Sequence, residues 1–265
     1  MKYTILLILA VSELFSAVIK APIISVDNDK ERAKIEINNI DLGVTGFVVH
    51  HITPQHGSIL KKATVVAFDK EKKIATIAMS EFTALRNNSL PYGKWKPAVG
   101  DTVELAFGYS RALLIAPNEE IYHRISKGVR IQWIHPDLFA TVLSFAGHPT
   151  PLKSDFNNFA NAASVGLLFL YLDQKVYTVD IKSFVILNIT DAPLKVKKEE
   201  RPFYTRVKNI DAAWWGEGSD EMQEYAPHYY ELLVQNNKQN RELYEIVKSH
   251  KELKNLVDEF EIGKK

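Results

Sequence analysis

The chain has 265 residues and a mass of 30.1 kDa, enough for one large domain or two small ones. Hydrophobic residues make up 46% and charged residues 25%, which excludes disorder as the dominant state. Lysine and arginine number 33 against 32 acidic residues, so a net charge of +1 supplies no field that would draw the chain onto nucleic acid. The absence of cysteine excludes disulfide scaffolds, thiolate metal sites and cysteine nucleophiles.

Residues 1–17 have the pattern of an export signal peptide. Lys2 gives a basic start, residues 5–11 form an apolar run, and Ser16–Ala17 supplies small residues near a plausible cleavage point. Glu13 interrupts the apolar stretch, and a buried N-terminal element of a cytosolic protein is the alternative. A run of seven is too short to cross a bilayer, and the sequence contains no stretch of about 18 uncharged apolar residues. We therefore expect an exported protein without a transmembrane span.

Residues 22–108 are predicted to form a β-rich module. Short runs alternate polar and apolar residues between turn signals, and two of them flank a charged turn as in a β-hairpin. The predicted strands cover residues 34–37, 46–49, 64–68, 74–78 and 102–107. Several short strands at this spacing are typical of a small β-barrel or sandwich.

Residues 109–190 alternate strand patterns with helix patterns and are predicted to form an α/β module. Asn118 is expected to cap the first helix, and Ser154 with Asp155 to cap the third. The last three strands are separated by short turns and predict a β-meander. The predicted strands cover 112–116, 129–133, 165–172, 176–180 and 184–187, and the predicted helices follow Asn118 and cover 137–145 and 154–163.

Residues 191–226 are predicted to form a charged linker that contains the pair Trp214–Trp215. We expect the pair to pack on the body and anchor the linker. The alternative is an exposed patch that docks a partner.

Residues 227–265 have helical periodicity and are predicted to form a C-terminal helix and lysine tail. A heptad register places Asn236 and Gln239 in the apolar seam, which weakens a coiled coil. The alternatives are an oligomerising coiled coil and a long helix, broken near Asn237, that packs on its own body. The expected fold class is therefore α+β, with a small barrel-like module, a mixed α/β module with a meander, and a C-terminal long helix or coiled coil.

The candidate chemical groups favour a binding or structural protein over an enzyme. Adjacent histidines at positions 50 and 51 point to opposite faces of a strand, so only one of them could share a metal site with His56. His135 and His148 both precede a proline at a turn, and either could act as a general base, but no paired nucleophile is visible. No phosphate-binding loop or dinucleotide fingerprint occurs, so no cofactor or metal is expected.

The sequence ends in Gly263-Lys264-Lys265. A terminal lysine offers an ammonium group and a free carboxylate on a flexible apolar stem. A receptor with complementary charges and aromatic residues between them could read both groups. The ordinary alternative is a solvated tail.

Several long segments resemble the N-terminal domain of the bacterial plasminogen-binding protein A family. The resemblance covers roughly residues 22–190 and is strongest in residues 65–76, 93–97, 106–117, 133–141 and 147–153. It implies a location in the periplasm, in the outer membrane or on the cell surface, and lysine-dependent capture of host plasminogen by its kringle modules. The resemblance places that contact at Lys264 and Lys265.

Two rival hypotheses remain open at this point. One is an envelope scaffold that has no host ligand and oligomerises through residues 227–261. The other is a hydrolase that uses His135 or His148.

Overall fold

The structure is a computed structural model that describes residues 18–82 and 95–262. The predicted signal peptide, at residues 1–17, and the two tail lysines, Lys264 and Lys265, lie outside the described residues. The chain divides into two compact units, one ending at Tyr109 and the other beginning at Ser110. Within the described ranges, no helix is long and apolar enough to cross a membrane.

The first unit contains a closed antiparallel β-barrel, which confirms the barrel prediction. Its strands are β1 (Ile19–Asp27), β2 (Arg32–Glu36), β3 (Thr45–Thr53), β4 (His56–Asp69), β5 (Ile74–Glu81) and β6 (Thr102–Leu105). The order around the barrel is β1-β2-β5-β4-β3-β6, and pairing of β1 with β6 closes it. The predicted hairpin is β4–β5. β1 was not among the strands predicted from the sequence.

The barrel interior follows the two-residue period of a strand. In β2, Ala33 and Ile35 are buried while their neighbours are exposed. Gly46 in β3 allows the closest approach, because a Cβ there would lie 1.9 Å from the carbonyl oxygen of Glu104 in β6. The β3–β6 pair therefore requires glycine at this position.

The second unit contains a five-stranded mixed sheet with helices. Its elements are β7 (Arg111–Ile115), α1 (Glu119–Gly128), β8 (Gln132–Ile134), α2 (Pro136–Ala146), α3 (Lys153–Ala163), β9 (Leu167–Leu172), β10 (Lys175–Asp180) and β11 (Ile186–Asp191). The strand order is β11-β10-β9-β7-β8. β7 runs parallel to both β8 and β9, and the remaining pairs are antiparallel. The β-meander is confirmed as β9-β10-β11.

The predicted helix caps are confirmed in one case and wrong in the other. The Asn118 side chain accepts a hydrogen bond from the Ile121 backbone N–H at 3.0 Å and caps α1. The N-cap of α3 is Leu152, not Ser154. Asp155 lies in the first turn, and its carboxylate accepts a hydrogen bond from the Leu152 N–H at 2.8 Å. The Asp155 carboxylate therefore bonds the backbone of the N-cap residue, and Ser154 does not act as the cap.

The C-terminal segment consists of short helices rather than one long helix. They are α4 (Tyr225–Asn236), α5 (Arg241–Ser249), a 3-10 turn (Lys251–Leu253) and α6 (Lys254–Val257). A long helix or coiled coil is therefore not confirmed. The apolar stripe lies in the core of its own unit, with buried members Tyr229, Leu233, Leu243, Val247, Leu253, Leu256 and Phe260.

Candidate functional site

The tail lysines are carried by a C-terminal segment that is fixed to the second unit. Phe260 is buried in the core, and the Glu261 N–H donates to the carbonyl of Lys238 at 2.9 Å. These contacts hold the chain two residues before Gly263. The path to Lys264 and Lys265 therefore starts from a defined point on this unit.

Three exposed lysines precede the tail on the same segment. Lys248, Lys251 and Lys254 recur at intervals of three residues through α5, the 3-10 turn and α6. The Lys248 ammonium lies 5.5 Å from the ring centroid of Tyr244. Among the described residues, none of the three forms an ion pair with a carboxylate, so their ammonium groups face solvent. Sequence reasoning singled out the tail but missed this row, although its spacing is visible.

His50 in the barrel contacts a buried carboxylate. Its Nδ1 lies 2.8 Å from Oδ1 of Asp101, whose other oxygen accepts from the Ala98 N–H at 2.8 Å. His51 is exposed, and His56 bonds the hydroxyl of Thr53 at 3.0 Å. The described residues bring together no group of three metal-binding side chains. The His50 pair ties β3 to the turn before β6, which is a structural contact.

His135 caps α2 at the carboxyl end of β8. Its Nδ1 accepts from the Asp137 N–H at 3.2 Å. Burial lowers the pKa of His135, while the nearby carboxylate of Asp137 opposes that shift. Its ring lies 5.2 Å from the ring of Tyr122, centroid to centroid. These contacts give His135 a capping and packing role.

Asp137 fastens the linker to α2. Its carboxylate accepts from the Thr205 hydroxyl at 2.9 Å, from the Arg206 N–H at 2.8 Å and from Arg206 Nε at 2.7 Å. Burial alone would raise the pKa of Asp137, but the hydrogen bonds from Arg206 and Thr205 outweigh it and hold the pKa below its usual value. The Asp137 carboxylate therefore holds Thr205 and Arg206 of the linker against the start of α2, and both of its oxygens accept hydrogen bonds.

His148 has a similar structural partner. Its Nδ1 lies 2.9 Å from the carboxylate of Asp155, whose side chain is almost completely buried. The described contacts of His135 and His148 include no serine, threonine or tyrosine hydroxyl that either could activate. The structure thus places each candidate base beside an aspartate.

The carboxyl edge of the parallel strands is covered by the chain itself. In open α/β sheets this edge is where ligands bind. Here the N–H of Tyr204 donates to the Ala116 carbonyl at 2.8 Å, just beyond β7. The hydroxyl of Tyr225 bonds the carbonyls of Ile115 and Tyr171, at the ends of β7 and β9, at 3.3 and 3.1 Å. The chain itself therefore bonds the carbonyls at this edge of the sheet.

The tryptophan pair does not anchor the linker. Trp214 is 97% exposed and Trp215 is 80% exposed. The expectation that they pack on the body is wrong, because nearby backbone and serine contacts hold this loop without using the indoles. The Ala213 N–H donates to the Gly147 carbonyl at 2.8 Å, and the Ser144 hydroxyl bonds the Asp211 carboxylate at 3.0 Å.

Comparison with known proteins gives one family. A family model described as "Plasminogen-binding protein pgbA N-terminal" matches residues 18–233. Plasminogen-binding protein PgbA of Helicobacter pylori strain J99 and that of strain 26695 are each 28% identical over 218 residues. These alignments cover 80% of this chain but 47% and 46% of the relatives, so the chain spans about half of their length. No solved structure matches it. The chain belongs to the PgbA N-terminal family.

Proposed function

We propose that this protein is an exported, non-enzymatic binding protein that captures plasminogen through its lysine side chains. The family and the printed name of its relatives support plasminogen as the partner. Two observations carry lysine recognition: the exposed lysines at positions 248, 251 and 254 of the C-terminal segment, and the fixed point at Phe260 and Glu261 that Lys264 and Lys265 follow in the sequence. The apolar pattern of residues 1–17 supports export to the cell surface or envelope.

The tail is the first candidate for the contact. A lysine side chain is a compact cation on a flexible stem, and a polypeptide that ends at Lys265 adds a carboxylate beside it. The family match stops at residue 233, before the tail. The row of Lys248, Lys251 and Lys254 is the internal alternative, since its ammonium groups are exposed. An experiment must therefore separate three places: the tail, the row and the family domain.

The test is binding of a purified chain of residues 18–265 to immobilised plasminogen, with and without a soluble lysine analogue. One variant lacks Lys264 and Lys265. A matched variant carries Lys248→Gln, Lys251→Gln and Lys254→Gln and keeps the tail. We expect the analogue to abolish binding and the truncation to weaken it by about ten-fold or more, while the internal variant binds like the parent.

Three results would contradict parts of this proposal. Binding that resists the analogue would exclude lysine recognition. Loss of binding in the internal variant, with the truncated chain unaffected, would move the site from the tail to the row. If the intact chain does not bind, plasminogen is not its partner.

A further inference from the structure

The second unit exposes an aromatic patch on α2 and on the adjacent loop. We define the patch as Leu138 and Phe145 of α2 together with Trp214 and Trp215. Phe145 is 90% exposed and Leu138 is 56% exposed. Tryptophan dominates the energetics of many protein interfaces, and soluble proteins seldom leave such side chains in solvent without use.

The patch is held in place by its backbone. The loop bonds α2 on both sides of Phe145, through Asp211 with Ser144 and through Ala213 with Gly147. Gly147 has φ of 75°, and a Cβ there would lie 2.6 Å from the Ala213 nitrogen. The close approach of loop and helix therefore depends on glycine, and it leaves the indoles displayed on a supported loop.

The sequence around the two tryptophans, which we call the acidic border of the patch, contains acidic but no basic residues. Arg206, an exposed basic residue before this stretch, is paired with Asp137, next to Leu138 in the sequence. No lysine or arginine occurs between Lys208 and Lys238 in the sequence. The acidic residues of this stretch are all exposed, and they are Asp211, Glu217, Asp220, Glu221, Glu224 and Glu231. Within the described part of the chain, none of them forms an ion pair. The last turn of α2, which ends in partially negative carbonyls, also has no basic residue.

This border decides which class of partner fits. Nucleic acid and anionic lipid surfaces carry the same sign of charge and are repelled. A second copy of this chain that docked through the same face would bring an identical acidic border against this one, and like charges across an interface oppose association. A polypeptide with apolar side chains beside lysines or arginines satisfies both the aromatic centre and the acidic border, since cations also stack on indole faces.

We infer that this aromatic patch is a docking site for a basic, amphipathic polypeptide segment. The site uses other residues than the lysine tail, and its partner is basic. The site consists of the pair Trp214–Trp215 on the loop and of Phe145 and Leu138 on α2, to which the loop is bonded. The acidic border selects the partner and accelerates its approach at low salt.

A fluorescently labelled peptide of leucine and lysine with an amphipathic helical pattern serves as the probe. The same peptide with glutamate in place of lysine is its control. Anisotropy titrations use the intact chain, a Trp214→Ser/Trp215→Ser variant, a Glu217→Gln/Asp220→Asn variant and an Ile52→Ser variant. Ile52 is an exposed apolar residue of the barrel, 58% exposed, and matches the loss of an apolar side chain elsewhere.

We expect the tryptophan variant to bind the basic peptide about thirty-fold more weakly, as for an interface centre, and Ile52→Ser to bind like the parent. The acid-neutralised variant should bind less tightly and lose affinity less steeply between about 50 and about 300 mM salt. Deletion of Lys264 and Lys265 should leave peptide binding unchanged, which separates this site from plasminogen capture.

Other outcomes overturn the inference. A tryptophan variant within about two-fold of the parent would show that the patch is not the site. Equal affinity for the glutamate peptide would remove the role of charge. Self-association of the intact chain in sedimentation that the tryptophan variant abolishes would assign the patch to a second copy. Tryptophan-dependent binding to anionic lipid vesicles would assign it to a membrane.

Discussion

Asn237 fixes the break between α4 and α5, and replacing it tests why this segment is not one helix. Its side chain is buried at 6% exposure. Oδ1 accepts from the N–H of Ile186 at 2.8 Å, and Nδ2 donates to the carbonyls of Phe184 and Leu233 at 2.9 and 2.7 Å. The amide thus joins the end of α4 to the turn before β11.

Asn237→Ala should destabilise the second unit strongly. It leaves the N–H of Ile186 and the carbonyl of Phe184 without this partner, at about 1–3 kcal/mol for each buried group. Water entering the vacated space would recover part of the loss, so we expect a decrease of about 2–4 kcal/mol in the free energy of unfolding. In a unit of this size that corresponds to a melting temperature lower by about 5–15 °C.

The assay is thermal and denaturant unfolding followed by far-ultraviolet circular dichroism. Gln239→Ala is the matched control, because Gln239 lies in the same polar run but is exposed, and it should stay within about 0.5 kcal/mol of the parent. Equal midpoints for the two alanine variants would refute the reasoning. In Asn237→Asp a buried carboxylate would face two carbonyls, so its folded pKa rises and stability should increase as the pH falls.

Two further predictions concern one clamp and one glycine. Asp137→Ala should lower stability at neutral pH by about 2 kcal/mol, because Arg206 loses a charged acceptor. Because the pKa of Asp137 is lowered in the folded state, this stability is present above the unfolded pKa and is lost as the pH falls through the folded pKa. A difference in unfolding free energy between parent and variant that stays constant into acid would contradict this prediction. Gly46→Ala should break the β3–β6 pair at Glu104 and cost several kcal/mol, about 3 or more, and an unchanged unfolding midpoint for the barrel would exclude that reading.

Much of the fold could be predicted from local patterns. The alternation in β2 and the charged turn of the β4–β5 hairpin are set by nearest neighbours, and so is the Asn118 cap. β1 was missed because it gains its regularity from pairing on both sides, with β2 and with β6, rather than from a clear pattern of its own. Closure of a barrel is a long-range event that local propensity does not encode.

The C-terminal segment shows a different limit. A heptad register treats Asn236 and Gln239 as weak positions of a continuous seam. In the structure the neighbouring Asn237 is buried, and it finds backbone partners about fifty residues away in the chain. Periodicity shows which residues are apolar, but it does not show which polar side chain will hydrogen-bond to the backbone of a distant turn. The break was therefore visible as an alternative, while its cause was not.

The tryptophan pair shows that a hydrophobic pattern can also predict burial where the side chains are exposed. Burial of large aromatic side chains is the ordinary expectation. The loop that carries Trp214 and Trp215 is instead held by Ser144 and by the backbone at Gly147, contacts that no hydrophobic pattern reveals. Polar anchoring of the loop thus leaves the indoles exposed.

The covered carboxyl edge of the sheet bears on where the second unit can bind a partner. The chain's own Tyr204 and Tyr225 occupy the carboxyl edge of β7, where an α/β sheet would otherwise offer a crevice for a small molecule. Both proposed contacts use residues outside the sheet, namely the tail lysines and the aromatic patch with its acidic border. Because these surfaces differ in charge, a lysine analogue should release plasminogen without displacing the basic peptide. Replacing Trp214 and Trp215 should weaken binding of the basic peptide and leave plasminogen binding unchanged. A variant that loses both kinds of binding together would show that the two surfaces act as one.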